Sequence, residues 1–184
     1  MGGEFKGRRI KVPGGYHVRP TSSRVREALF SLVAARIPES RVLDLFAGAG
    51  SLGIEALSRG AAHAVFVEKS RIIASVIAEN LRALKVARSQ FEVVISDAFH
   101  YVSKASKKRI VFDIIFIDPP YRSHLGSKTL AVLAKKPLLP EGGLILNEFE
   151  KGEDLIIPAE FRLEKEKNYG DTSIIICTKR EGKR

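Results

Sequence analysis

A short apolar strand that breaks into glycines and then into a helix constrains this chain more than any other feature. In Val42-Leu43-Asp44-Leu45-Phe46-Ala47-Gly48-Ala49-Gly50-Ser51-Leu52-Gly53 the glycines let the backbone turn sharply and approach a ligand, and Ile54, Ala56 and Leu57 then open a helix. The element is a ligand loop on a strand-to-helix turn. Gly48, Gly50 and Gly53 also satisfy G-x-G-x-x-G, so a dinucleotide site is one reading. A further strand, residues 64–67, ends at Glu68, a carboxylate placed to bind both hydroxyls of a ribose in either reading. Asp44 separates the two. A carboxylate at the strand's end can meet an amino-acid ammonium group but would repel a pyrophosphate.

The rest of the chain alternates strands and helices. Val25, Leu29, Leu32 and Val33 predict a helix from about Ser22 to Arg36, ended by Pro38. Ile72, Ile73, Val76, Ile77 and Leu81 predict another from Ser70 to about Leu84, with an apolar face that packs on a sheet rather than touching a cofactor. Residues 91–95, 110–117 and 143–149 read as strands, and 130–133 as part of a helix. Residues 161–168 and 173–178 flank Tyr169-Gly170-Asp171, a hairpin turn. Such alternation implies an α/β domain with a mostly parallel sheet covered on both faces. With 184 residues and 45% hydrophobic content, one core and one domain are expected.

A second motif closes the run Ile114-Ile115-Phe116-Ile117. In Asp118-Pro119-Pro120-Tyr121 an acid, two prolines and an aromatic ring form a rigid clamp for a flat heterocycle bearing an amine. Asp118 can accept a hydrogen bond from the amine, the prolines fix φ and leave carbonyl oxygens free, and Tyr121 offers a stacking face. Read alone, Pro-Pro could merely stop a strand and Asp118 begin a turn. Asp44, Glu68, Asp97 and Asp118 all fall at predicted strand ends, where ligands bind in open α/β sheets.

Charge points to a polyanionic partner. The net charge is +10, and residues 1–26 supply +6 of it, with Lys6, Arg8, Arg9, Lys11, Arg19, Arg24 and Arg26 against Glu4 alone. Phe5, Gly14, Gly15 and Tyr16 are interleaved there, as in a short hairpin lying along a phosphate backbone. Cys177, the single cysteine, forms no internal disulfide and suits a reducing cytoplasm. No apolar stretch approaches the ~20 residues that span a bilayer. The scattered His17, His63, His100 and His124 give no metal-ligand spacing, so no metal is expected.

Together these motifs resemble the ordered motifs of S-adenosylmethionine-dependent amino-methyltransferases: the Asp44 to Gly50 loop, Glu68, Ser96-Asp97-Ala98, and Asp118 to Tyr121. Arg19-Pro20-Thr21-Ser22-Ser23-Arg24-Val25-Arg26-Glu27-Ala28-Leu29-Phe30, with Gly2-Gly3 and Lys6-Gly7-Arg8, resembles more narrowly the RsmD family, which methylates the exocyclic N2 amine of a guanine in small-subunit (16S) ribosomal RNA. The resemblance implies a Rossmann-like class I methyltransferase fold, a seven-stranded sheet with an antiparallel carboxy-terminal hairpin, formed by residues 21–184 behind a basic arm over residues 1–20. It also implies S-adenosylmethionine held by Asp44, Phe46, Ala47, Gly48 and Gly50 at the methionine end, by Glu68 at the ribose and by Asp97 with Ala98 at the adenine. Asp118 and Thr21 would contribute further contacts. Asp118, Pro119, Pro120 and Tyr121 would be the catalytic set. The expected partner is small-subunit ribosomal RNA or its ribonucleoprotein particle, met by a cytoplasmic monomer. A DNA or other RNA amino-methyltransferase acting on adenine N6 or cytosine N4 shares the clamp, and a non-catalytic ribosome-assembly protein would share only the charge.

Overall fold

The computed structural model describes residues 1–12, 23–120 and 123–181. Its seven strands form one sheet in the order β3-β2-β1-β4-β5-β7-β6, built from two compact units, Met1–Ala98 and Phe99–Arg184. The sheet is mostly parallel with an antiparallel carboxy-terminal pair, the α/β architecture expected.

In the first unit β1 (Arg41–Asp44), β2 (His63–Glu68) and β3 (Phe91–Ile95) pair in parallel, with Asp44 beside Phe66 and Glu68 beside Ile95. The middle of β2 is buried, which is why it reads as an unbroken apolar run rather than an alternating one. The helices are α1 (Ser23–Leu32), α2 (Ser51–Ser58) and α3 (Arg71–Ala83). Ser70 caps α3 by accepting a hydrogen bond from the Ile73 amide at 3.4 Å. Gly53 on α2 lies so close to β2 that a Cβ there would stand 2.2 Å from a ring carbon of the buried Phe66. Its role is close helix-to-strand packing.

In the second unit α4 (Ala98–Lys107) leads into β4 (Ile114–Ile117), followed by α5 (Leu125–Ala134), β5 (Leu144–Glu150), β6 (Phe161–Tyr169) and β7 (Thr172–Lys179). β4 runs parallel to β5, and β7 runs antiparallel to both β5 and β6. Gly170 turns the hairpin with φ 62°. Cys177 on β7 is fully buried, and burial pushes its thiol up to about 11.

The structure departs from the sequence expectations at several elements. The first helix stops at Leu32 instead of Arg36, because Val33 (φ −120°, ψ 15°) turns the chain into a 3-10 turn over Ala34–Arg36 while Val33 and Ile37 both stay buried. On α3, Ile72 is 63% exposed, and Ala74 and Asn80 join the buried face. Helix α4 was not foreseen. Its core positions Ala98, Tyr101, Val102 and Ala105 carry a helical spacing diluted by serine, histidine and lysine. The strand expected over 110–117 begins only at Ile114, because the residues before it close that helix. Arg109 (φ 54°) takes the left-handed position, its amide donates to the Ser106 carbonyl, and the Ile110 amide donates to the Ala105 carbonyl.

Residues 1–12 run over the first unit. The Gly2 amide donates to Glu55 at 2.9 Å, the Phe5 amide to the Ser58 hydroxyl at 2.8 Å, and the Arg8 guanidinium to the Ala83 carbonyl at 3.0 Å. Gly3 has φ 63°, and a Cβ there would fall 1.9 Å from the Ser58 carbonyl oxygen, so glycine is required. Glu55 also pairs with Arg59 at 2.8 Å and Arg26 at 3.4 Å. Burial alone would raise its carboxyl, but Arg59, the Gly2 amide and Arg26 outweigh that and hold it below the usual range. Residues 13–20, the rest of the expected arm, lie outside the described residues.

Candidate active site

The first unit fixes its ligand loop at the carboxyl ends of its three strands. The Ala47 amide donates to the Val67 carbonyl at 3.0 Å, and the Gly50 amide to the Ala47 carbonyl at 2.7 Å, which folds the loop over β2. Gly48 (φ 51°) and Gly50 (φ 86°) are both left-handed, a conformation that costs glycine little. Glu68 staples three segments. Its two carboxylate oxygens accept from the Gly48 amide at 3.1 Å and the Ser70 amide at 2.8 Å, and its carbonyl accepts from the Ser96 amide at 3.0 Å. Each carboxylate oxygen keeps acceptor capacity for a hydroxyl group.

Asp44 is 1% exposed, and one of its oxygens accepts from the Gly53 amide at 3.1 Å. The other oxygen, Oδ1, has no hydrogen-bond partner. Burial, opposed in part by the Gly53 bond and reinforced by the nearby Glu68 charge, raises the carboxyl to about 7. A buried, half-satisfied carboxylate of this kind gains most from a cation, and a ligand ammonium group meets that need. A pyrophosphate would worsen it. Phe46 and Gly48 are half-buried, Ala47 is buried, Asp97 is exposed before α4, and Ala98 is buried at its start. The structure thus brings Asp44, Ala47, Gly48, Gly50, Glu68 and Ser96-Asp97 together at one end of the first unit.

In the second unit Asp118 follows the last residue of β4 and is half-buried, with Pro119 buried and Pro120 exposed. The Pro120 carbonyl accepts from the Ser123 hydroxyl, whose oxygen in turn accepts from the Leu125 amide at 3.4 Å and so ties the segment to the start of α5. Tyr121 and Thr21 lie outside the described residues. Among the described residues no group of three or more histidine, cysteine or acidic side chains could hold a metal ion.

Two asparagines were missed by the sequence reading. Asn80 on α3 is 3% exposed; it accepts from the Lys11 amide at 2.8 Å and donates to the carbonyls of Lys11 at 3.0 Å and Ala49 at 3.2 Å, joining residues 1–12 to the glycine loop. Asn147 on β5 pairs with Ile117 and is fully buried, and neither its amide oxygen nor its amide nitrogen has a partner. A Cβ on Gly126, in the first turn of α5, would stand 3.0 Å from that nitrogen. The signal for both was a lone polar residue inside an apolar periodicity.

Comparison with known proteins gives the family of the chain. Residues 1–178 match the family described as conserved hypothetical protein 95. The ribosomal RNA small subunit methyltransferase D of Haemophilus influenzae is 36% identical over 173 residues, covering 94% of this chain and 89% of that protein. Its counterpart in Escherichia coli K12 is 37% identical over 174 residues, covering 94% and 85%. The solved structure of the Escherichia coli protein yhhF, a candidate methyltransferase, superposes with a TM-score of 0.86 at 34% identity, covering 98% of this chain and 97% of that one. With the family matched over nearly its whole length, the chain belongs to the conserved hypothetical protein 95 family, which it shares with the ribosomal RNA small subunit methyltransferases D.

Proposed function

We propose that the protein transfers a methyl group from S-adenosylmethionine to the exocyclic N2 amine of a guanine in small-subunit ribosomal RNA. The observation that carries this reading is Asp44, a buried carboxylate with one unpaired oxygen beneath a left-handed glycine loop. It suits the ammonium end of an amino-acid cofactor and disfavours a dinucleotide. Glu68 would take the ribose hydroxyls, Asp97 and Ala98 the adenine, and Phe46, Ala47, Gly48, Gly50, Thr21 and Asp118 further contacts.

S-adenosylmethionine, when bound, supplies a methyl group carried on a positively charged sulfur. The chain's own contribution is to orient a poor nucleophile. Guanine's amine has its lone pair delocalised into the ring, so positioning and polarisation carry most of the acceleration. Asp118 and the Pro119 carbonyl would accept the two amine hydrogens and favour a pyramidal nitrogen. Tyr121 would stack on the base. Asp118 need not be a strong base, because the nitrogen becomes acidic once alkylated. The target guanine must leave its stack to reach such a clamp, which costs least in a loop.

The basic residues of the arm, with Lys6, Arg8, Arg9 and Lys11 exposed on its described part, would lie along phosphates. The enzyme would act as a monomer in the cytoplasm. Isothermal titration should show binding of S-adenosylmethionine and none of NAD. Incubation with small-subunit RNA, followed by nuclease digestion and mass spectrometry, should yield N2-methylguanosine. Methyladenosine or methylcytidine, or NAD binding alone, would overturn the reading.

A further inference from the structure

We propose that the second unit carries a separate surface for RNA phosphates, at the end of its sheet opposite Asp118. The inference rests on the ribosomal RNA reading above. It adds a second phosphate contact, remote from the target base, that an RNA long enough to reach it would use.

Helix α4 closes on Lys107, Lys108 and Arg109, and helix α5 on Lys135 and Lys136. The fold draws these two clusters together. The Phe112 amide, just after the first cluster, donates to the Leu138 carbonyl, just after the second, at 2.8 Å. At their other ends the helices meet through Lys128, whose ammonium nitrogen stands 4.9 Å from the centroid of the Phe99 ring. The two helices therefore run side by side in one direction and discharge their cations at one pole. β7 returns to the same pole, where the Lys179 amide donates to the Gly143 carbonyl at 3.1 Å and its ammonium group to the Leu139 carbonyl at 2.9 Å.

Lys107, Lys108, Arg109 and Lys135 are exposed and Lys136 is partly so, and none of the five joins an ion pair among the described residues. Asp113 and Glu141, the acids closest in sequence, are engaged elsewhere. One or two cations at a helix end complement its dipole for roughly 0.3–1 kcal/mol. Five unpaired ones repel one another and are stabilised by an external polyanion, the chemistry of a phosphate backbone. β4 spans four residues between this pole and Asp118, about 13 Å of strand before the flanking loops are counted. A base held at Asp118 and phosphates held here therefore belong to different nucleotides, and an RNA long enough to cover both places gains from both.

The test is the triple variant Lys107→Gln/Lys108→Gln/Lys135→Gln, which spares the left-handed Arg109 that caps α4. Binding to full-length small-subunit RNA and to a short stem-loop carrying the target guanine is measured between 50 and 200 mM salt. On the long RNA the variant should lose roughly tenfold or more in affinity at the upper end of that range, and its plot of log affinity against log salt should flatten by about two to three. Affinity for the stem-loop, and methyl transfer to it, should stay within about twofold of wild type. An unchanged slope on the long RNA, or an equal loss on both RNAs, would overturn the surface. A wild-type protein that methylates neither RNA, nor the small-subunit ribonucleoprotein particle, would instead defeat the underlying reading and, with it, this surface.

Discussion

The loop after β1 and the segment after β4 both leave a parallel strand at its carboxyl end, yet different forces hold them. The first is soft in sequence and fixed by hydrogen bonds. Glu68 accepts the Gly48 and Ser70 amides, Asp44 accepts the Gly53 amide, and Asn80 donates to the Ala49 carbonyl. The second, Asp118-Pro119-Pro120, is stiff in sequence, because each proline ring locks φ and removes a donor. Near it, on β5, the buried Asn147 has neither amide group paired. A pocket meant to wrap a small flexible cofactor gains from satisfied polar contacts made before the ligand arrives. A clamp meant to take a flat base gains from rigid covalent geometry that holds its acceptors in place.

That contrast is broken most severely at Asp118. Asp118→Ala should lower turnover by on the order of 100-fold while leaving cofactor affinity nearly unchanged, the pattern of an acceptor used chiefly in the transition state. Near-normal single-turnover rates in the variant would remove Asp118 from the chemistry. At the other loop the effect should fall on binding instead. Asp44→Ala and Glu68→Ala should each weaken S-adenosylmethionine binding by about 1–3 kcal/mol, since each strips a charged acceptor from polar partners. Titration calorimetry on both folded variants decides this, and unchanged affinity in both would dismantle the cofactor site.

Gly53→Ala adds a methyl group 2.2 Å from the Phe66 ring. It should cost about 1–2 kcal/mol of stability, the overpacking penalty less the helix-propensity gain of alanine. Equal or higher stability in thermal melts would mean that α2 can shift away from β2.

A smaller effect sharpens the electrostatic half of the comparison. With its carboxyl raised to about 7 by burial, Asp44 holds its proton more tightly folded than unfolded. Its contribution to stability is present in full below about pH 4 and is lost as pH rises toward 7. A ligand ammonium reverses this preference and expels the proton. Cofactor affinity should therefore climb between about pH 5.5 and 7, by at most tenfold per pH unit, and Asp44→Asn should flatten the climb. A wild-type profile as flat as the variant's would mean that no cation binds at Asp44.

The smallest effect concerns Asn147, where an apolar residue of similar size removes two unpaired amide groups. Asn147→Leu should raise stability by about 1 kcal/mol. A loss of stability would show that the amide is paired in solution.

The sequence carried the layout of the loop after β1 well because that layout is local: a strand, left-handed glycines and a carboxylate lie within a dozen consecutive residues, and Glu68 lies one helix and one strand beyond. It carried Asp118 to Pro120 for the same reason. Helix α4 stayed hidden because its exposed face mixes serine and lysine with only four well-buried positions, and the upstream edge of β4 was misplaced because Ile110, Val111 and Phe112 are apolar yet lie in the connection that leaves that helix. Asn80 and Asn147 were invisible for a deeper reason. A polar residue on an apolar face looks like noise until the fold shows what it touches, three hydrogen bonds for the one and none for the other.

Cys177 makes these proposals easy to watch. It is the single cysteine of the chain, and with its thiol pushed up to about 11 only roughly one molecule in three thousand is a reactive thiolate at pH 7.5. A cysteine introduced at exposed Glu4 or Val111 would therefore take a maleimide fluorophore with Cys177 left in place and the nearby cations kept. Dyes at those two positions, in separate proteins, would report by quenching which surface meets RNA first.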